Sequence, residues 1–207
     1  MASYSTPPKG WRAVLSGALG AGLVLLGMLA VMWVLEGYDY LVDGALDYYG
    51  IAGWDPNGLV GILFAPFLHG GFGHLMANSL PFLILGFLTA IRGLGKFLWA
   101  TVIIILVGGL GTWISSPGVT AIGASGLIFG YFGYILARGL FDRSLVDILI
   151  ALGVGAAYYS MLAGVLPNQP GISWQGHLFG FLSGIVAAWV LRRKRSAVTP
   201  PPAYPAI

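Results

Sequence analysis

Six stretches of the chain are apolar for long enough to cross a hydrocarbon layer, and polar residues fall mainly between them. They cover about 13–35, 72–91, 97–115, 122–138, 147–166 and 174–191. A bilayer's hydrocarbon core takes roughly 20 mostly apolar residues as helix. A helix pairs its own backbone polar groups, so it can lie in lipid. The pattern predicts an all-α polytopic membrane protein with six transmembrane helices. No charged residue lies well inside any of the six stretches. The first is too long and too uniformly apolar for a signal-peptide core, and no small-residue cleavage site follows it. It reads as a retained span. No internal repeat is evident.

Composition points the same way. The chain is 57% hydrophobic and 8% charged, with a mean hydropathy of +0.86, whereas a soluble domain carries about 25% charged residues. So few charges cannot cover a water-soluble globule of 207 residues. The net charge of +3 is too small to point to nucleic acid as a partner. There is no cysteine, which removes disulfides, thiolate metal sites and cysteine nucleophiles together. Imidazole chemistry must draw on His69, His74 and His177 alone.

The placement of charge is more informative than its sum. Lys9 and Arg12 precede the first stretch. Arg92 and Lys96 follow the second, and Arg138 and Arg143 follow the fourth. Arg192, Arg193, Lys194 and Arg195 follow the sixth. In a six-span arrangement all ten basic residues fall on one side, which the positive-inside rule makes cytoplasmic. Both termini are then cytoplasmic. Five of the seven acids (Glu36, Asp39, Asp43, Asp47 and Asp55) lie in a first external loop of about 36–71. Within it, LVDGALDYYG has the pattern of a short interfacial helix. The expected organisation is an N-terminal tail at 1–12, a membrane domain at 13–191 and a basic, proline-rich tail at 192–207. Both ends have the composition of disordered segments. A compact chain without extra domains points to a bacterial-type plasma membrane.

Polar groups inside a membrane are costly, and each is a candidate functional group. This topology puts four of them at one shallow depth below the outer face. His74 and Asn78 lie in the first two turns of the second span, four residues apart and hence on one helix face. Ser125 lies in the first turn of the fourth span and His177 in the first turn of the sixth. Ser125 sits in GASG, 123–126. The flanking Gly123 and Gly126 allow a tight start to the helix and close backbone approach, and free N–H groups at a helix N-terminus can stabilise an oxyanion. His177 sits in GHLFGFLSG, 176–184, where Gly180 and Gly184 form a small-xxx-small face. Gly133 lies eight residues after Ser125. Close packing of these two spans would bring His177 within reach of Ser125 as its base. Ser173 and Ser79 are weaker nucleophile candidates, since neither has a glycine-flanked helix start.

Together, HGGFGHLMAN at 69–78, GASG and GHLFGFLSG, in this order and on alternate spans, resemble the rhomboid family of intramembrane serine proteases from about residue 60 to 190. The resemblance implies a six-helix bundle and a Ser–His dyad without a carboxylate, with Ser125 as nucleophile and His177 as general base and acid. It assigns His74, Asn78 and the Ser125 backbone N–H to the oxyanion, and His69 to bracing the first loop. Neither a cofactor nor a metal is expected. The implied partners are membrane-protein substrates, typically single-span with small, helix-destabilising residues near the cut, within a lipid bilayer. Oligomeric state is left open.

Two positions depart from the family pattern. Where many members carry a Trp–Arg pair, this chain has Val60 and Gly61, which bears on how the first loop docks. Phe129 stands where some members have a tyrosine stacked on the catalytic histidine. Other readings have less behind them. A metalloprotease would want His-Glu-x-x-His, and an aspartyl protease would want two aspartates within the spans. A transporter would be expected to show inverted repeats or ion-pair pathways. A catalytically inactive rhomboid-like protein that binds membrane clients is the remaining alternative.

Overall fold

A computed structural model describes residues 11–167 and 171–193. Of the tails expected at 1–12 and 192–207, residues 1–10 and 194–207 lie outside the described residues. The chain is mostly helical: α1 (Trp11–Leu41), the single-turn α2 (Gly61–Phe64), α3 (Phe72–Ala90), α4 (Leu94–Ile103), α5 (Gly109–Ser115), α6 (Ser125–Asp142), α7 (Leu145–Ala157) and α8 (Trp174–Val190). A π-helical turn, Ile104–Gly108, carries α4 into α5. Among the described residues three helical segments are long and apolar enough to cross a membrane: Gly17–Leu41, Phe72–Ala90 and Leu94–Ser115. A fourth is added if α7 and the 3-10 helix Tyr159–Val165, bent by 70°, count as one.

Two longer helices, α6 and α8, fall outside this set. Most of α6 is buried by protein, so it need not present apolar residues to lipid and can carry Gly126, Gly130, Gly133, Tyr131, Tyr134 and Arg138. Tyr131 is wholly buried, with its hydroxyl 2.9 Å from Thr101 Oγ1 and its ring between Phe82 and Phe97. The hydroxyl thus has the partner that burial demands. α8 is 17 residues long and packs on α6 through glycine. A Cβ on Gly180 would overlap the Gly126 carbonyl, one on Gly184 the Gly130 carbonyl, and one on Gly133 the Phe181 carbonyl.

Three boundaries differ from the sequence expectation. α1 continues through Glu36 and Asp39 to Leu41, so the first loop starts later than residue 36. Both acids are buried, and Asp39 Oδ1 accepts the Leu46 N–H at 2.6 Å, which offsets part of the cost. α6 starts at Ser125 and runs on to Asp142, taking Arg138 inside it. The fifth apolar stretch is broken at Tyr158. The segment LVDGALDYYG contains a 3-10 helix, Ala45–Tyr49.

The first loop is stitched to the segment that leads into α6. β1 (Ile51–Ala52) and β2 (Thr120–Ala121) form a two-residue antiparallel ladder, pairing Ile51 with Ala121 and Ala52 with Thr120. Trp54 Nε1 donates to the Ile114 carbonyl at 2.7 Å, and Trp113 Nε1 to the Asp55 carbonyl at 2.9 Å. At Gly61 the backbone passes so close to Gly50 that a Cβ would overlap its carbonyl. That approach excludes any side chain at this position, and the tryptophan bonds and the ladder dock the loop here.

At the opposite end the basic residues converge. Arg92 and Arg138 both pair with buried Asp147, the latter at 3.0 Å. Lys96 Nζ donates to the Leu191 carbonyl at 2.8 Å, and the Arg193 N–H to Asp142 Oδ1 at 2.8 Å. The α3–α4 corner, the α6–α7 corner and the chain just after α8 therefore meet at one end of the bundle.

Candidate functional site

Ser125 is the first residue of α6, and the two residues before it explain its placement. Gly123 has φ +115°, and its N–H donates to the Ala65 carbonyl at 2.9 Å. A Cβ there would sit 2.6 Å from His74 Cε1, so both the backbone and the neighbouring imidazole demand glycine. The Ala124 N–H donates to His69 Nε2 at 3.3 Å. His69 is 1% exposed. Burial, with a smaller contribution from neighbouring His74, pushes its pKa down to about 4, which keeps Nε2 free to accept this bond. This bond ties the end of the first loop to the segment that leads into Ser125. At the helix start, the N–H groups of the first turn have no intrahelical partner.

His74 and Asn78 stand one turn apart at the start of α3. Gly71, at φ +112°, turns the chain into this helix. Asn78 is buried, yet its Nδ2 has no hydrogen-bond partner among the described residues. Pro81, one turn further on, lacks the N–H that would have bonded to the Ala77 carbonyl.

His177 lies in the first turn of α8, whose N-terminus is capped by Ser173 Oγ accepting the Gly176 N–H at 3.2 Å. Its ring stacks on Phe129, with centroids 4.1 Å apart and planes at 10°. Its Nδ1 lies 3.0 Å from the Gly164 carbonyl. The competing serines have structural roles, Ser173 as this cap and Ser79 in bonds to Leu75 and Trp33.

Ser125, His177, His74, Asn78 and Phe129 line one cleft of ≈ 900 Å³, together with Ala77, Pro81, Tyr158 and Met161. That is room for a peptide segment. Ser125 and His177 share the cleft without a direct hydrogen bond among the described residues, a looser arrangement of the kind seen in unliganded sites. Gly126, Gly133, Gly180 and Gly184 lie at the α6–α8 contact, and His69 lies behind Ala124. Among the described residues no cluster of three His, Cys, Asp or Glu side chains is disposed to hold a metal ion. Two participants were missed from the sequence. Gly130 had a signal, since Gly126 and Gly130 repeat the four-residue spacing of Gly180 and Gly184. Gly164 acts through its backbone carbonyl and had none.

The sequence profile described as Rhomboid domain matches residues 56–194. An uncharacterized protein of Mycobacterium tuberculosis is 46% identical over 179 residues, covering 82% of this chain and 75% of its own length. Another, of Mycobacterium leprae, is 44% identical over the same extent of this chain and 71% of its own. A Bacillus subtilis protein, YdcA, named provisionally as a rhomboid protease, is 30% identical over 83% of this chain and 88% of its own length.

Proposed function

This chain belongs to the rhomboid family, and from that premise we propose that it is an intramembrane serine endopeptidase acting on membrane-protein substrates. The observation that carries the reading is the convergence of Ser125, His177, His74 and Asn78 on one cleft, with the Asn78 amide nitrogen buried and without a partner among the described residues. A buried donor without a partner is costly unless something else receives its hydrogen bond, and a developing oxyanion is such a receiver.

In this mechanism Ser125 Oγ attacks the scissile carbonyl while His177 Nε2 takes its proton. The carbonyl oxygen becomes an oxyanion held by Asn78, His74 and the Ser125 backbone N–H. His177 returns the proton to the leaving amine, and an acyl-enzyme remains on Ser125. Water, activated by the same imidazole, then releases the new carboxyl terminus and restores Ser125. Because such a reaction needs water, the cleft belongs near the outer face. The supporting topology has six spans, adding α6 and α8 to the four candidates, with the 13–191 membrane domain between two cytoplasmic tails. A smaller apolar cavity also reaches Ser125, hemmed in by Ile62, Ile104 and Gly180. It suits a small side chain beside the cut.

The test is labelling of detergent-solubilised protein with a fluorophosphonate, in wild type, Ser125→Ala and His177→Ala. Labelling that both substitutions abolish is the expected result. Folded wild type that neither labels nor cleaves a model single-span substrate would leave client binding without catalysis as the better reading.

A further inference from the structure

We propose that the backbone carbonyl of Gly164 is the third member of the catalytic arrangement, a positioning group that fixes the tautomer and orientation of His177. The proposal rests on reading His177 as the base. A serine–histidine pair normally needs a third group that accepts a proton from the far ring nitrogen, so that the near nitrogen is left as the base. The three-residue form supplies a carboxylate for this. Among the described residues, no aspartate or glutamate lines the cleft.

The geometry supplies a substitute. The chain bends by 70° after α7, and the 3-10 helix Tyr159–Val165 delivers the Gly164 carbonyl to 3.0 Å from His177 Nδ1. A carbonyl can only accept, so Nδ1 carries the proton and Nε2 has a free lone pair. The Phe129 ring covers one face of the imidazole at 4.1 Å. The carbonyl thus restrains the ring edge and Phe129 its tilt. Glycine leaves both rings room at this distance. A Cβ on Gly164 would lie 3.0 Å from Phe129 Cζ and 3.1 Å from His177 Nδ1, so the side chain of any other residue would press on both rings. A neutral carbonyl also brings no negative charge into an apolar bundle, where a carboxylate would be costly to bury.

The experiment is nitrogen NMR of the full chain in detergent, labelled with [15N]histidine and held at a pH where the rings are neutral. The chain has only three histidines, and the His177→Ala spectrum identifies the resonances of interest. The expected wild-type signature is a protonated, pyrrole-type Nδ1 and an unprotonated, pyridine-type Nε2. Gly164→Ala should replace it with a mixture of tautomers and lower kcat on a model substrate by on the order of 100-fold, with KM little changed. Gly153→Ala, where a Cβ meets nothing within 4 Å, should leave both unchanged. A wild-type ring with its proton on Nε2 overturns the proposal, and this readout stands even if Gly164→Ala fails to fold. So does a folded Gly164→Ala protein with wild-type spectrum and kcat. The expected tautomer in a protein with no Ser125-dependent cleavage would instead overturn the protease reading, leaving a bond with no catalysis to serve.

Discussion

Asn78 and His69 are both buried polar side chains, and they differ in what completes them. The Asn78 amide nitrogen has no partner among the described residues, so truncating it removes no existing hydrogen bond of that nitrogen. Asn78→Ala should therefore leave the unfolding transition nearly unchanged while slowing cleavage by about 100- to 1000-fold, the usual loss for one oxyanion donor. Turnover at the wild-type rate would remove Asn78 from the mechanism. His69 Nε2 already has its partner, the Ala124 N–H, and holds it only while uncharged. Its pKa falls from 6.5 to about 4 on folding. A base depressed in this way contributes stability that is present above pH 6.5 and is lost as pH falls towards 4, by up to about 3 kcal/mol. Acid should thus destabilise the backbone beside Ser125 first. Unfolding measured across that window should show a shallower pH dependence for His69→Asn than for wild type, and equal slopes would exclude His69 as the source. The types and spacings of His74, Asn78, Ser125 and His177 were legible in the sequence because each is a polar residue where lipid-facing chemistry forbids one. The Gly164 carbonyl was not, because every residue has a carbonyl and only the fold aims this one.

Among helices, the pairing of α6 with α8 sets the distance between the two residues of the proposed dyad. The glycines at 126, 130, 180 and 184 let the two backbones touch, and no flexible side chain stands between them to yield. Gly184→Ala would drive its methyl group into the Gly130 carbonyl. It should cost about 1–3 kcal/mol of stability and lower activity, although residue 184 is two turns from His177. Thermal unfolding and cleavage assays in detergent check this, and a neutral result would mean that the helices separate without cost. The glycine spacing carried this contact in the sequence. The break at Tyr158 had no such signal, since hydrophobicity runs on from 147 to 166 and a straight span satisfies it equally well. The extension of α1 was hidden for the opposite reason, because Glu36 and Asp39 look like loop residues until burial and the Leu46 bond are seen.

Across the whole molecule, charge is segregated. Arg92, Lys96, Arg138 and Arg193 meet at one end with Asp142 and Asp147, while Asp47 lies in the first loop. Burial, helped by the nearby Asp39 charge, raises the Asp47 carboxyl above its ordinary range. The absence of cysteine makes the proposed sidedness easy to test with single-cysteine reporters. Asn57→Cys, in the first loop, should react with a membrane-impermeant maleimide on intact cells. Gly95→Cys, in the first turn of α4 where a Cβ meets nothing within 4 Å, should react only after the membrane is opened. The reverse pattern would invert the topology.

The ladder of Ile51–Ala52 with Thr120–Ala121 makes the first loop and the nucleophile segment one mechanical part. Three residues separate Ala121 from Ser125, so the loop cannot swing outward without either breaking these bonds or dragging the nucleophile with it. A peptide approaching the cleft therefore meets a fixed wall on that side. On the side of α3 and the bent segment after α7, the cleft is lined by Ala77, Pro81, Tyr158 and Met161. In hydrogen exchange, the Ala121 amide should then open as slowly as those of the α6 interior, despite belonging to a strand only two residues long.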